Sequence, residues 1–144
     1  MGGDIILEKM MDEVVAGNVQ KTDTPPLSWE KFGEGGFTIY EMQRRAYQNS
    51  VDHGFYDEPV NFATRLMLVV SELAEAMEEE RAGNDITTTT VTASGKPEGV
   101  PSELADAIIR IGDLAGYYGI DLEEAVIQKM KYNAGRPYKH GKKY

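Results

Sequence analysis

Cysteine is absent from this 144-residue chain. That excludes a disulfide framework and a thiolate site. Long apolar runs are missing too: no uninterrupted stretch approaches the ~20 residues of a membrane span. Basic residues are in deficit, with 15 Lys and Arg against 24 Asp and Glu and a formal net charge of -9. A nucleic-acid polymer is therefore a poor candidate partner, because such binding draws most of its free energy from clustered cations that displace counterions. The opening MGGDIILEKMMDEVV lacks the basic start and long apolar core of a signal peptide, so the expected location is the cytoplasm. What remains is a chain with 41% hydrophobic residues, enough for one domain with a real core and too short for two.

Residues 1–36 read as an arm or linker. A short amphipathic stretch over Ile5 to Val15 precedes the Pro/Gly-punctuated segment TDTPPLSWEKFGEGG, in which Trp29 is a packing anchor. From residue 37 the pattern turns helical. Phe37, Tyr40, Tyr47 and Val51 define a first helix to about His53, with Gly54 as its stop. A second is expected from about Val60 to Arg81, since Leu66, Val69, Val70, Leu73 and Met77 form one stripe and Gly83-Asn84 supplies a cap. The run LMLVV within it implies burial on nearly all sides. Residues 83–101 have loop composition, with a small hairpin around Ser94-Gly95. A third helix spans about Ser102 to Tyr118, with Leu104, Ile108, Ile111 and Ala115 as its core stripe and Gly119 as its end. Asp121 and Glu124 start a fourth, running to about Ala134. The short connection between the last two favours an antiparallel hairpin. Four such helices, with no strand-helix alternation, predict an all-α four-helix bundle.

Two short acidic motifs stand inside these helices. Glu72 and Glu75 lie in SELAEAMEEE, and Glu103 and Asp106 in SELADAIIRIGD, each pair three residues apart and hence on one helical face. Side by side, two such helices can aim four carboxylates at one volume, where like charges at about 4 Å repel by roughly 4 kcal/mol at an effective dielectric near 20. A divalent cation relieves that repulsion, and oxygen-only ligands suit a hard ion such as Mg²⁺ that takes its remaining ligands from water and substrate phosphates. The plainer reading is a solvated face, because these acids lie opposite the apolar stripes. Leu68 and Ile109 stand among them and argue for partial burial. Glu79 and Asp113 extend the acidic faces by a turn and read as peripheral. Arg110, one turn after Asp106, reads as a simple Asp-Arg helix pair. No Glu-x-x-His motif is present, which disfavours a redox di-iron site.

The tail KMKYNAGRPYKHGKKY reverses the charge of the chain. Its cations suit a helix C-terminus through the macrodipole alone. Alternatively Lys129, Asn133 and Arg136, at spacings of four and three, present two cations and an amide to anionic oxygens. Phe55, Phe62, Tyr132 and Tyr138 are candidates for lining a base pocket, though aromatics near helix ends commonly just bury area. His53 reads as a polar helix-end residue.

With these pieces assembled, the chain resembles the MazG-like, all-α nucleoside triphosphate pyrophosphohydrolases, the superfamily that includes dimeric dUTPases and dCTP pyrophosphatases. The resemblance rests on Glu72-x-x-Glu75 and Glu103-x-x-Asp106, with the 27 residues of 76–102 between them, and on the Lys-Asn-Arg-Pro tail; it covers roughly residues 37–144. It implies a helical bundle that forms a homodimer or homotetramer, with Mg²⁺, or Mn²⁺ as a substitute, held by Glu72, Glu75, Glu103 and Asp106. It also implies hydrolysis of a nucleoside triphosphate to the monophosphate and pyrophosphate, with Lys129, Asn133 and Arg136 on phosphate or sugar. Either Glu72 or Glu75 is the candidate for the base that activates water. Two rivals are a non-catalytic helical oligomerisation or regulatory module and a hydrolase of another phosphoanhydride.

Overall fold

The computed structural model describes residues 37–137. The Ile5–Val15 stretch, Trp29, Tyr138 and the last lysines lie outside these residues. Four helices carry the fold: α1 (Ile39–Asp52), α2 (Phe62–Arg81), α3 (Val100–Tyr117) and α4 (Leu122–Ala134). A two-stranded antiparallel hairpin, β1 (Thr90–Val91) and β2 (Pro97–Glu98), fills the α2–α3 connection, pairing Thr90 with Glu98 and Val91 with Pro97. The sequence places all four helices to within two residues at each end.

Local chemistry sets those ends. Thr38, Asn61 and Asp121 each accept a hydrogen bond from a backbone N–H of the first turn, at 3.0, 3.1 and 2.9 Å. Gly54, Gly83 and Gly119 stop α1, α2 and α3 at positive φ of 77°, 86° and 65°. After α3, the Ile120 N–H reaches back to the Ala115 carbonyl and the Gly119 N–H to that of Gly116, the paired bonds of a Schellman cap. At the head of α3, Gly99 has φ 107°, and a Cβ there would stand 2.7 Å from the Thr88 carbonyl oxygen. The base of the hairpin closes onto the start of α3 at this point.

Helix α3 lies between α1 and α2, which have no extended contact with each other. The α1 side is a close approach. Cβ atoms added at Gly112 and Gly116 would each come within 2.5 Å of a side-chain atom, of Met42 and Tyr47 respectively. Buried apolar residues are few and mostly small: Met42, Ala46 and Tyr47 on α1, Val69 and Ala76 on α2, and Ala107, Leu114 and Ala115 on α3. Helix α4 buries none of its residues and rests mainly on α1. The Gln43 amide clasps the α3–α4 turn, donating to the Ile120 carbonyl at 2.7 Å and accepting from the Leu122 N–H at 3.2 Å, while Glu123 accepts from the Tyr40 N–H at 3.1 Å. The expected antiparallel hairpin of the last two helices is therefore replaced by packing of α4 on α1, because the turn is tied to α1.

The apolar stripes are a second correction. Val69 and Ala115 are buried as expected, but Leu66, Val70, Leu73 and Met77 on α2 and Leu104, Ile108 and Ile111 on α3 are exposed, between 39% and 55%. The LMLVV run likewise buries only Val69 well. The positions α2 does bury are Val69, Glu72 and Ala76, and α3 buries Glu103, Ala107 and Leu114 among others; at about 100° per residue the two stripes lie to one side of these positions. No described helix is long and apolar enough to cross a membrane.

Candidate functional site

The seam between α2 and α3 is lined with charge because the two helices run antiparallel and each places charged residues at intervals of three and seven. Arg65 is level with Asp113, Glu72 with Asp106 and Arg110, and Glu75 with Glu103. One carboxylate oxygen from each of Glu72, Glu103 and Asp106 lies within 4.8 Å of the others. Glu72 and Glu103 are buried, at 4% and 7% exposure, and Asp106 is exposed. The solvated-face reading thus fails for two of the acids. Glu75 is exposed and stands outside this trio, close enough to Glu103 to repel it.

Glu103 is the telling member. Among the described residues its carboxylate has neither a hydrogen bond nor an ion pair, and burial, then repulsion from Glu75, Asp106 and Glu72, pushes its pKa up; Lys96 on the hairpin offsets this in part. Lys96 lies 3.6 Å from Glu98, a neighbour on the same hairpin. The residue is largely covered, yet its carboxylate oxygens still reach solvent, since no side-chain oxygen among the described residues is both buried and unpartnered; facing other carboxylates without a donor, the group is the one a cation relieves most. The donor set of three oxygens open on the Asp106 side fits a hard divalent ion that keeps water or substrate oxygens as its other ligands.

Arg110 departs from its expected role. Instead of pairing with Asp106 on its own helix, its Nε donates to Glu72 Oε1 across the seam. One rung further, Asp113 is buried and far from peripheral. Tyr56 donates to its Oδ1 at 2.7 Å, and Arg65 Nη1 lies 4.0 Å from Oδ2. Burial raises the Asp113 pKa, opposed by hydrogen bonds from Tyr56 and Ser50 and by the charges of Arg65 and Arg110. Burial and Asp113 together drive the Tyr56 hydroxyl far above the usual phenol range, so it stays a donor. Arg65 also donates to the Phe55 carbonyl at 2.7 Å and lies over the Tyr56 ring, which stacks on Tyr117 at 4.5 Å between centroids. Sequence reasoning missed this hub. Its only linear signal is the seven-residue spacing from Arg65 to Glu72 and from Asp106 to Asp113, which keeps each pair on one helical face.

The other candidates are dispersed. Lys129 and Asn133 are exposed on α4, Arg136 just beyond it is half-buried, and the two cations lie 5.4 and 5.9 Å from the centroid of the Tyr132 ring. No hydrogen bond, ion pair or extended helix contact joins them to the acids among the described residues. Phe55 is exposed and Phe62 meets Tyr118 edge-on, so neither lines a cleft with Tyr132. His53 sits at the C-cap of α1 with its Nδ1 2.7 Å from the Asn49 carbonyl oxygen, a helix-end role.

No family model matches the chain, and neither a curated protein nor a solved structure gives a significant match.

Proposed function

We propose that this chain is a divalent-cation-dependent hydrolase of nucleoside triphosphates, releasing the monophosphate and pyrophosphate, in the manner of the MazG-like enzymes its motifs resemble. The observation that carries the reading is the convergence of Glu72, Glu103 and Asp106 across the seam, one oxygen of each within 4.8 Å of the others, with repulsion among them pushing the Glu103 pKa up. Magnesium, with manganese as a substitute, is the fitting ion, held by Glu72, Glu103 and Asp106 with Glu75 at the margin. Bound there, it supplies charge neutralisation for phosphate oxygens and orientation for water.

The residues divide the remaining work. Glu75, exposed and outside the trio, is better placed than Glu72 to take a proton from water. Lys129, Asn133 and Arg136 serve phosphate or sugar in this reading, and in one protomer they stand on the α1–α4 side. The exposed stripes of α2 and α3 support a homodimer or homotetramer, since each such aliphatic side chain gains on the order of 1 kcal/mol when its remaining surface is covered. That surface equally suits a non-catalytic oligomerisation module, which has no use for three carboxylates converging across the seam.

Purified full-length chain with Mg²⁺, screened against the common ribo- and deoxyribonucleoside triphosphates for released pyrophosphate, tests the activity. Glu72→Gln and Asp106→Asn are each expected to reduce turnover at least about a hundredfold while circular dichroism reports unchanged helix content. Wild-type activity in both variants refutes the site; absence of Mg²⁺ and nucleotide binding by calorimetry favours the non-catalytic module.

A further inference from the structure

Arg110 occupies a position that neither helix stability nor the acids' own geometry requires. An arginine one turn after Asp106 has a partner available on its own helix, yet its guanidinium crosses the seam to Glu72, the most buried acid of the trio. The Glu72 side chain is 6% exposed and that of Arg110 40%, so the acid is fixed while the cation has room in solvent. The neighbouring cations are engaged elsewhere: Arg65 with Asp113 and the Phe55 carbonyl, and Lys96 with Glu98. Glu72 is also the acid that offers an oxygen to the trio. A guanidinium and a divalent ion therefore contend for one carboxylate, and whichever is absent leaves that carboxylate to the other.

We propose that Arg110 is the internal counter-ion of the acidic site: it holds Glu72 in the cation-free chain, competes with the entering metal, and once displaced offers its planar fork to an anionic oxygen of a metal-bound phosphate ligand. This rests on the metal reading above and adds a regulation to it. Metal entry uncovers the anion-binding group, so the two binding events reinforce each other through one side chain. Arg110 is a positioning residue for the metal and a binding residue for the anion. The same contact keeps Glu72 oriented across the seam when no ion is present, with a compensating charge in place of bare repulsion.

The probes are Mn²⁺ alone, followed by electron paramagnetic resonance of the free ion, and a preformed manganese–imidodiphosphate complex, followed by calorimetry, both with full-length chain. Relative to wild type, Arg110→Gln is expected to bind Mn²⁺ about tenfold more tightly, a size ordinary for coupled sites, and to bind the manganese–imidodiphosphate complex more weakly. Arg110→Lys keeps the charge without the fork, and is expected to shift both affinities in the same directions by a smaller factor; it carries the test if Arg110→Gln loses helix content. The gain in Mn²⁺ affinity should persist at about 0.5 M KCl, where a merely long-range charge effect is screened away. Equal or weaker Mn²⁺ binding by Arg110→Gln, with wild type binding normally, overturns the counter-ion proposal and leaves the metal site standing. Failure of wild type and both variants to bind Mn²⁺ overturns the metal site and the proposal together.

Discussion

Asp113 is the residue on which the closed end of the seam depends. Its carboxylate is covered by Tyr56, and Arg65 lies on the Tyr56 ring, so one phenol hydroxyl joins a charge, a cation and an aromatic stack. A hydrogen bond to a buried charged group is worth about 1.5–3 kcal/mol, and Tyr56→Phe is expected to cost that much in urea unfolding at neutral pH. The sign of the pH dependence follows from burial. Asp113 and Glu103 both have native pKa values raised above their ordinary 3.8 and 4.5. Between the ordinary and the raised values the folded chain binds protons that the unfolded chain does not, so their contribution to stability falls as pH rises through that window and is most unfavourable above it. The Tyr56→Phe penalty should therefore be largest at neutral pH and shrink on acidification, because protonated Asp113 needs the donor less. A penalty independent of pH would separate Tyr56 from Asp113. No linear pattern announces this hub, since its members come from α1, the α1–α2 connection, α2 and α3. What the sequence does show is the acids themselves, because their spacing is a property of single helices.

At the scale of elements, the backbone approach of α1 to α3 is the tightest joint. Gly116→Ala would place a methyl within 2.5 Å of Tyr47 Cβ and 3.0 Å of its Cγ, and Gly112→Ala would press on Met42 and on the Gln43 Cα at 3.3 Å. Met42 can swing aside, whereas Tyr47 is wedged by Tyr56 and Tyr117. Gly116→Ala is accordingly expected to lose about 1–3 kcal/mol, more than Gly112→Ala, by thermal or urea denaturation. Helix boundaries were legible for a local reason: glycine at positive φ and a capping Asp or Asn act within a turn of where they stand. The pairing of helices was not. The Asp121 cap correctly starts α4, but the direction α4 takes is set by Gln43 and Glu123 bonds to a helix some eighty residues away in sequence.

Taken together, the described residues present a layer of helices with α3 between α1 and α2 and two faces of different character. Leu66, Val70, Leu73 and Met77 share one side of α2, and Leu104, Ile108 and Ile111 continue it on α3. At about 100° per residue the exposed acids Glu75 and Asp106 fall toward the other side. Periodicity locates an apolar face without saying whose surface covers it, which is why the stripes read from sequence as this chain's own core. In the proposed oligomer they meet another copy. Leu73→Glu is expected to convert the assembly to smaller species in light scattering and to lower the melting temperature, with the helices of the remaining oligomer unchanged. A monomeric wild type, or a Leu73→Glu protein of unaltered mass, would contradict that arrangement.

Glu72, Glu103 and Asp106 all come from α2 and α3 of a single polypeptide. In an assembly built by covering the apolar stripes, every subunit keeps its own full trio of carboxylates. A defective subunit then silences only itself: chains carrying Glu72→Gln, co-assembled with intact ones, should dilute cation capacity in simple proportion, without poisoning their neighbours.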